Sequence, residues 1–316
     1  MIHDPKQGRF ILPVAVVIAI IAVSTGSIFV RFAQLEAPSL VIAALRLGFA
    51  VVAIAPFAII RYRSELRKLT RRDLLLGLLS GLFLAVHFAA WITSLEYTSI
   101  VSSVVLVSTG PLWVALFSPL FLKEQISRPV RIGMLLALFG GTIIALGDSC
   151  QISGGLVCPS LSGLLHGEAL LGNFLALVGA WAVAGYLMIG RRLRSGMALI
   201  PYIFLVYGVA AVALYTAMLV AGQRPTGFSG MTYVWILLLA LIPQLIGHST
   251  FNWVLRYLPT TLVAITTLGE PVGSAVLAYF ILQEIPASLT LFGGFLILTG
   301  IYVSSRKKAH RFDQDS

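Results

Sequence analysis

Four ionisable side chains, Arg46, His87, His248 and Glu270, stand out inside stretches that are otherwise almost entirely apolar. A charged side chain near the centre of a bilayer costs about 2.5 to 3.5 kcal/mol on insertion scales, so it tends to be kept for a binding site or an ion pair. Glu270 directly precedes Pro271, which lacks an N–H and therefore permits a kink in a helix. We expect the Glu270 carboxylate either to pair with Arg46 or to titrate.

A polar stripe accompanies these residues. Gln244, His248 and Asn252 recur at i, i+4 and i+8, and His87 and Trp91 recur at i and i+4 in an earlier segment. Residues four apart share one face of a helix, so each set must face protein or water rather than lipid. The stripe predicts a cavity that binds substrate through these five side chains. The alternative is that they only tie helices together by interhelical hydrogen bonds.

The second half of the chain repeats part of the first half. Residues 97–140 align with residues 257–300 without a gap, and nine positions are identical, including a tyrosine, a proline, a glutamate and two glycines. Apolar composition alone would rarely keep such residues in register, so we interpret the pattern as an internal repeat. Within each copy we assign structural roles at kinks and turns to the proline and the glutamate, namely Pro111, Glu124, Pro271 and Glu284.

Composition indicates that these segments lie in a membrane. Of 316 residues, 11% are charged and 58% are hydrophobic, and the mean hydropathy is +0.96. A soluble protein would carry about a quarter charged residues. Apolar runs of about 20 residues match helices that cross a bilayer and exclude a β-barrel. We predict an all-α integral membrane fold with ten spans, at about 11–33, 39–61, 73–95, 100–122, 130–148, 168–190, 199–221, 233–255, 260–282 and 287–304.

The distribution of lysine and arginine predicts the orientation. With a cytoplasmic N-terminus, 19 of the 22 basic residues fall in the inner segments, whereas Arg31 and Arg224 lie outside and Arg46 lies inside a span. Cytoplasmic loops carry the positive excess, so both termini are predicted to be cytoplasmic. The net charge of +10 then reflects topology and attraction to anionic lipid, and we expect no nucleic-acid partner.

Five spans in each half place the second copy upside down in the membrane relative to the first. The expected domains are residues 1–148, an extracytoplasmic loop at 149–167, residues 168–305 and a cytoplasmic tail at 306–316. Inverted repeats allow a transporter to open toward either side around one central site. The symmetry therefore indicates transport.

The segments around Arg46, 97–140 and 257–300 resemble the two EamA-type repeats of the drug/metabolite transporter superfamily, because both copies keep the same spacing from proline to glutamate and from glutamate to glycine. The resemblance covers about 11–304. It implies a ten-helix inverted-repeat carrier of small organic solutes, and it implies a basic residue at Arg46 as an architectural or anion contact. From its position alone, Arg46 could equally reach the membrane surface by snorkelling.

The loop between the halves holds both cysteines, Cys150 and Cys158, which could form a disulfide in an oxidising compartment. Their spacing is not diagnostic, and His166 alone cannot complete a metal site. No P-loop or dinucleotide-binding glycine motif occurs, so we expect no cofactor and no direct use of ATP.

The function predicted is a secondary transporter of a small organic metabolite in the cytoplasmic membrane, with export favoured, although the residues themselves leave the direction open. Protons as the coupling ion and a homodimer also stay open. Two alternatives belong to other classes. One is a membrane-embedded enzyme that uses His87, His248 and Glu270 as acid and base, and the other is a non-transporting sensor or assembly partner. Repeated placement of polar residues in both halves favours transport, because an enzyme needs one asymmetric constellation.

Overall fold

A computed structural model describes residues 5–98, 100–122, 126–149, 151–152, 156–157, 168–283 and 288–305. The helices of the first half are α1 Pro5–Ser24, α2 Gly26–Ala33, α3 Ser39–Arg61, α4 Arg63–Arg67, α5 Arg71–Tyr97, α6 Ile100–Val107, α7 Gly110–Phe121 and α8 Arg128–Ser149. The second half contains α9 Glu168–Arg194, α10 Leu199–Val220, α11 Gly230–Leu239, a π-helical segment Ala240–His248, α12 Ser249–Val254, α13 Thr260–Thr266, α14 Gly269–Leu282 and α15 Ser288–Ser305. The predicted turn glutamates Glu124 and Glu284 and the predicted disulfide pair Cys150 and Cys158 lie outside the described residues.

The all-helical class is confirmed. In the described ranges, eight segments are long and apolar enough to cross a membrane: Ile11–Ala33, Ser39–Arg61, Arg71–Tyr97, Ser103–Phe121, Leu170–Arg194, Leu199–Val220, Gly230–Val254 and Thr260–Leu282. They coincide with eight of the ten expected spans. The other two expected spans coincide with α8 and α15, which pack against each other. The expected loop between the halves contains a short antiparallel pair, β1 Gln151–Ile152 and β2 Leu156–Val157.

Polar residues fix where the helices begin. Thr70 and Asp73 form a capping box at the start of α5, in which the Thr70 hydroxyl accepts from the Asp73 N–H and the Asp73 carboxylate accepts from the Thr70 N–H. At the start of α11, the Ser229 hydroxyl accepts from the Thr232 N–H. These caps satisfy N–H groups that have no partner inside the helix, at the ends where the spans leave the apolar region.

Two spans are interrupted at matching positions. α6 gives way to α7 at residues 108–109, and α13 gives way to α14 at residues 267–268. At each break a threonine hydroxyl donates to the carbonyl three residues earlier, at 2.7 Å, and a proline follows within the first three residues of the next helix. The threonines are Thr109 and Thr267, and the prolines are Pro111 and Pro271. The predicted kinks are therefore true breaks between helices.

The internal repeat is visible in the hydrogen bonds. In each half, side chains near the end of the first span donate to carbonyl oxygens near the end of the third span. In the first half, Arg31 Nη1 donates to Leu95 O at 3.0 Å and Gln34 Nε2 donates to Ile92 O at 2.9 Å. At the equivalent positions of the second half, Arg191 Nη1 donates to Leu255 O and Arg194 Nε donates to Asn252 O at 3.0 Å.

Contacts between the halves also occur in pairs that the repeat relates to each other. α5 packs on α9, and their counterparts, the π-helical segment and α1, pack on each other. α6 packs on α14 and α7 packs on α13, while α3 and α8 pack on their own counterparts, α10 and α15. Exchanging the two halves therefore maps this set of contacts onto itself.

Candidate functional site

Arg46 lies at the centre of a buried cluster formed by helices of both halves. Its side chain is fully buried, and Nε donates to Gln244 Oε1 at 3.0 Å. The guanidinium carbon lies 4.0 Å above the centre of the Phe88 ring and 5.9 Å from that of Trp91, which is a cation–π arrangement. Arg46 thus points into the protein, and the snorkelling interpretation is wrong because no part of the side chain reaches the surface.

The two predicted histidines meet beside Arg46. The ring centres of His87 and His248 are 6.3 Å apart, and Phe88 packs edge-on against His248 at 5.3 Å. His87 Nδ1 lies 2.9 Å from the Gly179 carbonyl oxygen. A carbonyl oxygen only accepts, so Nδ1 carries the proton of this contact. His87 is stacked parallel to Trp91, with ring centres 6.3 Å apart.

The π-helical segment positions Gln244 and His248. Pro243 lies inside this segment and removes one N–H from the helical ladder, and such π-helical insertions are frequent at functional sites. Gly247 lets the segment approach α1 closely, since a Cβ there would lie 2.6 Å from a methyl of Val23. The wider helical turn brings Gln244 and His248 to the Arg46 cluster.

Asn252 follows the π-helical segment and enters a tyrosine network instead. Its Nδ2 donates to the hydroxyls of Tyr186 and, at 3.4 Å, Tyr207. The Tyr207 hydroxyl lies 3.2 Å from that of Ser249, and Ser249 Oγ donates to the Gln244 carbonyl at 3.2 Å. The predicted stripe therefore has a part at Arg46 and a part that links α9, α10 and α12, and the two meet at Tyr207, which is near the side chains of both Gln244 and Asn252.

Glu270 lies in the first turn of α14 and is half-buried. Its backbone carbonyl accepts from Ser24 Oγ at 3.4 Å, which joins α14 to α1. The carboxylate is close enough to Arg46 to interact electrostatically. Across the described ranges, however, no carboxylate forms an ion pair with Arg46, so the Glu270 side chain is near the cation without binding it.

An apolar crevice of about 640 Å³ opens between α5, α7 and α9. Its lining includes Phe83, one helical turn before His87, and Trp113, whose ring packs edge-on against that of Trp181 at 5.3 Å. Arg192 lies at the end of α9 and is the charged residue of the lining. In the described part of the chain, no group of three His, Cys, Asp or Glu side chains could hold a metal ion.

Sequence reasoning grouped His87, Trp91, Gln244, His248 and Asn252 as a substrate site and placed Arg46 with Glu270. The structure brings the first four together around Arg46, whereas Asn252 lies in the tyrosine network. Sequence reasoning missed Phe88, the tyrosine network and the arginines of the repeated hydrogen bonds. Arg31 and Arg191 occupy equivalent positions in the two halves, so the repeat itself could have found them. Phe88 gave no signal, because one phenylalanine in an apolar span is unremarkable until its neighbours are known.

A multi-span helical protein with related halves and a buried cationic cluster where they meet has the general architecture of a membrane transporter. The chain belongs to the EamA-like transporter family, whose model matches residues 11–146 and again residues 170–306. It is therefore a multi-pass membrane protein of a transporter family, and the two matches correspond to the two halves.

Similar proteins agree with this class. An uncharacterized transporter from Archaeoglobus fulgidus is 25% identical over 93% of this chain and 96% of that protein. The pseudopaline exporter CntI from Pseudomonas aeruginosa is 25% identical over 76% of this chain and 78% of that protein. A crystal structure of a protein with 17% sequence identity superposes with a TM-score of 0.73 over 93% of this chain and 96% of the other, which shows the shared fold. The names of the first two relatives are those of transporters, not of enzymes.

Proposed function

We propose that this protein is a secondary transporter that moves a small organic metabolite across the cytoplasmic membrane by alternating access. The observation that carries the proposal is the pattern of contacts between the halves, which maps onto itself when the halves are exchanged. If each half can adopt the conformation of the other, the same contacts give two states that open to opposite sides. The relative named as an exporter favours export as the direction.

The proposed topology has ten spans, with α8 and α15 as the fifth span of each half. An odd number of spans per half makes the repeats inverted, so that the axis relating them lies in the membrane plane. The lysine and arginine bias supports cytoplasmic termini, and residues 149–167 between the repeats then lie outside. Anionic lipid of the inner leaflet is the expected partner of the basic loops.

In this proposal, solute binds at the Arg46 cluster, where His87, Trp91, Gln244 and His248 surround it. Asn252 acts on the site through Tyr186 and Tyr207, because its hydrogen bonds hold α12 against α9 and α10. No covalent chemistry is required of the histidines. Binding between the halves, rather than within one of them, is what lets a conformational change expose the solute to the other side.

Glu270 is the proposed coupling residue. It follows a helix break, stands near Arg46 and makes no ion pair with it, so gain or loss of a proton would change the balance of charge without breaking a fixed bridge. The other titratable groups that face the cluster are His87, His248 and Tyr207. A proton-coupled carrier needs a group whose proton affinity differs between the two conformations.

Reconstitution in proteoliposomes tests this proposal, after a thermal-shift screen has identified a solute that stabilises the purified protein. Glu270→Gln should abolish the dependence of transport on an imposed pH gradient and leave solute exchange measurable. His248→Ala should weaken binding itself. An unchanged pH response in Glu270→Gln would show that the carboxylate is structural, and the absence of any solute flux in the wild-type protein would refute transport.

A further inference from the structure

Four buried N–H donors at the Arg46 cluster have no acceptor in the part of the chain that the structure describes. They are Nη1 and Nη2 of Arg46, Nε1 of Trp91 and Nε2 of Gln244. The three residues are at most 4% exposed. Buried donors are normally paired, because a buried donor without a partner has lost its hydrogen bonds to water and gained none in the protein. A group of four on adjacent residues therefore points to a ligand that supplies acceptors.

The geometry of the cluster fixes how these donors are presented. Arginine has only donors, so the oxygen of the Gln244 amide must face Arg46 Nε, and the amide nitrogen is left to point elsewhere. The Phe88 ring covers one face of the guanidinium at 4.0 Å. Since Nε is occupied and that face is covered, the edge that carries Nη1 and Nη2 is what remains for a ligand. Two parallel N–H groups on that edge match a planar group with two oxygens.

The charge of the cluster agrees with an anionic ligand. Arg46 is positively charged. The Glu270 carboxyl group is close enough to interact with it electrostatically, but within the described ranges no carboxylate forms an ion pair with Arg46. The neighbouring Phe88 and Trp91 supply ring faces but no negative charge. One guanidinium suits a carboxylate with a single charge, whereas a phosphate dianion would call for further cations within contact.

We propose that the transported solute is an organic carboxylate, bound through two parallel hydrogen bonds to Arg46 Nη1 and Nη2, with Trp91 Nε1 and Gln244 Nε2 donating to the same molecule. The proposal rests on the proposed transport function, since it identifies the class of solute that occupies that site. Phe88 holds the guanidinium plane in place, and Trp91 provides an apolar wall for the remainder of the solute.

Binding of matched compounds to the purified full-length protein tests the proposal. The probes are phenylacetate with phenylacetamide, succinate with succinamide, alanine with alaninamide, and inorganic phosphate. At least one carboxylate should raise the melting temperature and give a measurable affinity by calorimetry, while its amide and phosphate should not. Amides or phosphate that bind as tightly as the carboxylates would overturn the proposal.

Variants identify the contacts. Arg46→Lys keeps the charge and removes the parallel pair of donors, and it should weaken carboxylate binding roughly 10- to 100-fold. Trp91→Phe keeps an aromatic ring and removes only the N–H, and it should weaken binding roughly 5-fold. Arg224→Gln, at an exposed position in the connection between α10 and α11, is the control and should bind like the wild type. Because Trp91→Phe preserves the packing, it gives a result even if Arg46→Lys does not fold, and unchanged affinity in Trp91→Phe would contradict its assigned contact.

Failure of this proposal can be told apart from failure of the proposed function. If neutral or cationic solutes are transported and carboxylates are neither bound nor transported, the carboxylate assignment is wrong while transport stands. If no compound of any charge class is bound or transported, both are wrong.

Discussion

The crevice between α5, α7 and α9, which we call the open face, has a counterpart built from the repeat-equivalent helices. This closed face lies between α11 with the adjoining π-helical segment, α14, and α1 with α2. Leu79 on the open face is 46% exposed, whereas its counterpart Leu239 is fully buried. The two faces have related backbones and differ in how tightly they close.

Side-chain size accounts for much of this difference. Trp113 occupies the α7 position on the open face, and its counterpart on α14 is Gly273, against which Ser24 packs so closely that a Cβ at residue 273 would lie 2.7 Å from that of Ser24. Ser274 Oγ also donates to the Ser24 carbonyl at 3.1 Å. A glycine thus lets α1 and α14 touch, whereas on the open face Trp113 packs edge-on against Trp181 of α9.

Aromatic stacking adds to the closure. Trp235 is stacked on Phe32 at 4.8 Å and on Phe29 at 5.9 Å. The counterparts of these three residues on the open face are Leu75, Arg192 and Ile189, which cannot stack in this way. The comparison indicates that packing between side chains, not the backbone plan, selects which face is closed.

Loop contacts, in contrast, are alike at the two ends of the molecule. Glu36 Oε2, in the loop before α3, accepts from the Ser229 N–H at 2.8 Å, and Glu65 Oε1, in α4, accepts from the Ala198 N–H at 2.7 Å. Each carboxylate joins a connection in the first half to a connection in the second half. These links therefore do not explain why only one face is open.

The largest effect is expected from Gly273→Ala. The added methyl group would overlap Ser24 Oγ, so α1 and α14 must separate, at a cost of about 3 kcal/mol, the upper end for overpacking. We expect the closed face to open, measured as faster maleimide labelling of Leu239→Cys in a protein that also carries Cys150→Ser and Cys158→Ser. Gly208→Ala is the matched control, because a Cβ at Gly208 meets nothing within 4 Å. Equal labelling in the two variants would refute the role of Gly273.

Trp235→Ala should have a smaller effect in the same direction. It removes two aromatic contacts, which together are worth about 1 to 2 kcal/mol, or roughly a 5- to 30-fold shift between the two states. The same labelling of Leu239→Cys measures it. Trp253→Ala is the control, since the Trp253 ring packs on Tyr257 instead of on Phe29 and Phe32. A larger response in the control than in Trp235→Ala would contradict this account.

Glu36→Gln should have the smallest effect, and one that depends on pH. The hydrogen bonds from the Ser229 N–H and the Thr232 hydroxyl lower the pKa of the Glu36 carboxyl. A lowered pKa means that the carboxylate contributes stability above its ordinary pKa and loses that contribution as pH falls through the lowered value. The melting temperature of the wild type should thus exceed that of the variant slightly at neutral pH, and the difference should vanish in acid. A difference that does not change with pH would exclude this contribution.

The sequence allowed the spans to be predicted closely, because hydropathy and the repeat constrain them independently. The expected 39–61 and 260–282 match Ser39–Arg61 and Thr260–Leu282. The inward position of His87 and His248 also followed, since polar groups avoid lipid. The contacts of Asn252 with Tyr186 and Tyr207 did not follow. Spacing of i, i+4 and i+8 assumes a regular helix, and the π-helical turn around Pro243 rotates what comes after it.

The sequence also did not allow us to predict which face is open and which is closed. Gly273 and Trp113 are counterparts in the repeat, but an exchange of glycine for tryptophan becomes informative only when Ser24 is known to lie opposite Gly273. The unpaired donors of Arg46 are a similar case, because the sequence offered Glu270 as a partner and only the geometry shows that the pair is not formed.

Reciprocal labelling of Leu79→Cys and Leu239→Cys, each in the protein that carries Cys150→Ser and Cys158→Ser, tests most directly whether the two faces open in turn. Without solute, residue 79 should react with a small maleimide faster than residue 239, because Leu79 lines the crevice and Leu239 is fully buried. During transport, labelling at residue 79 should fall and labelling at residue 239 should rise. If residue 239 stays protected while solute crosses the membrane, alternating access by exchange between the two faces is wrong.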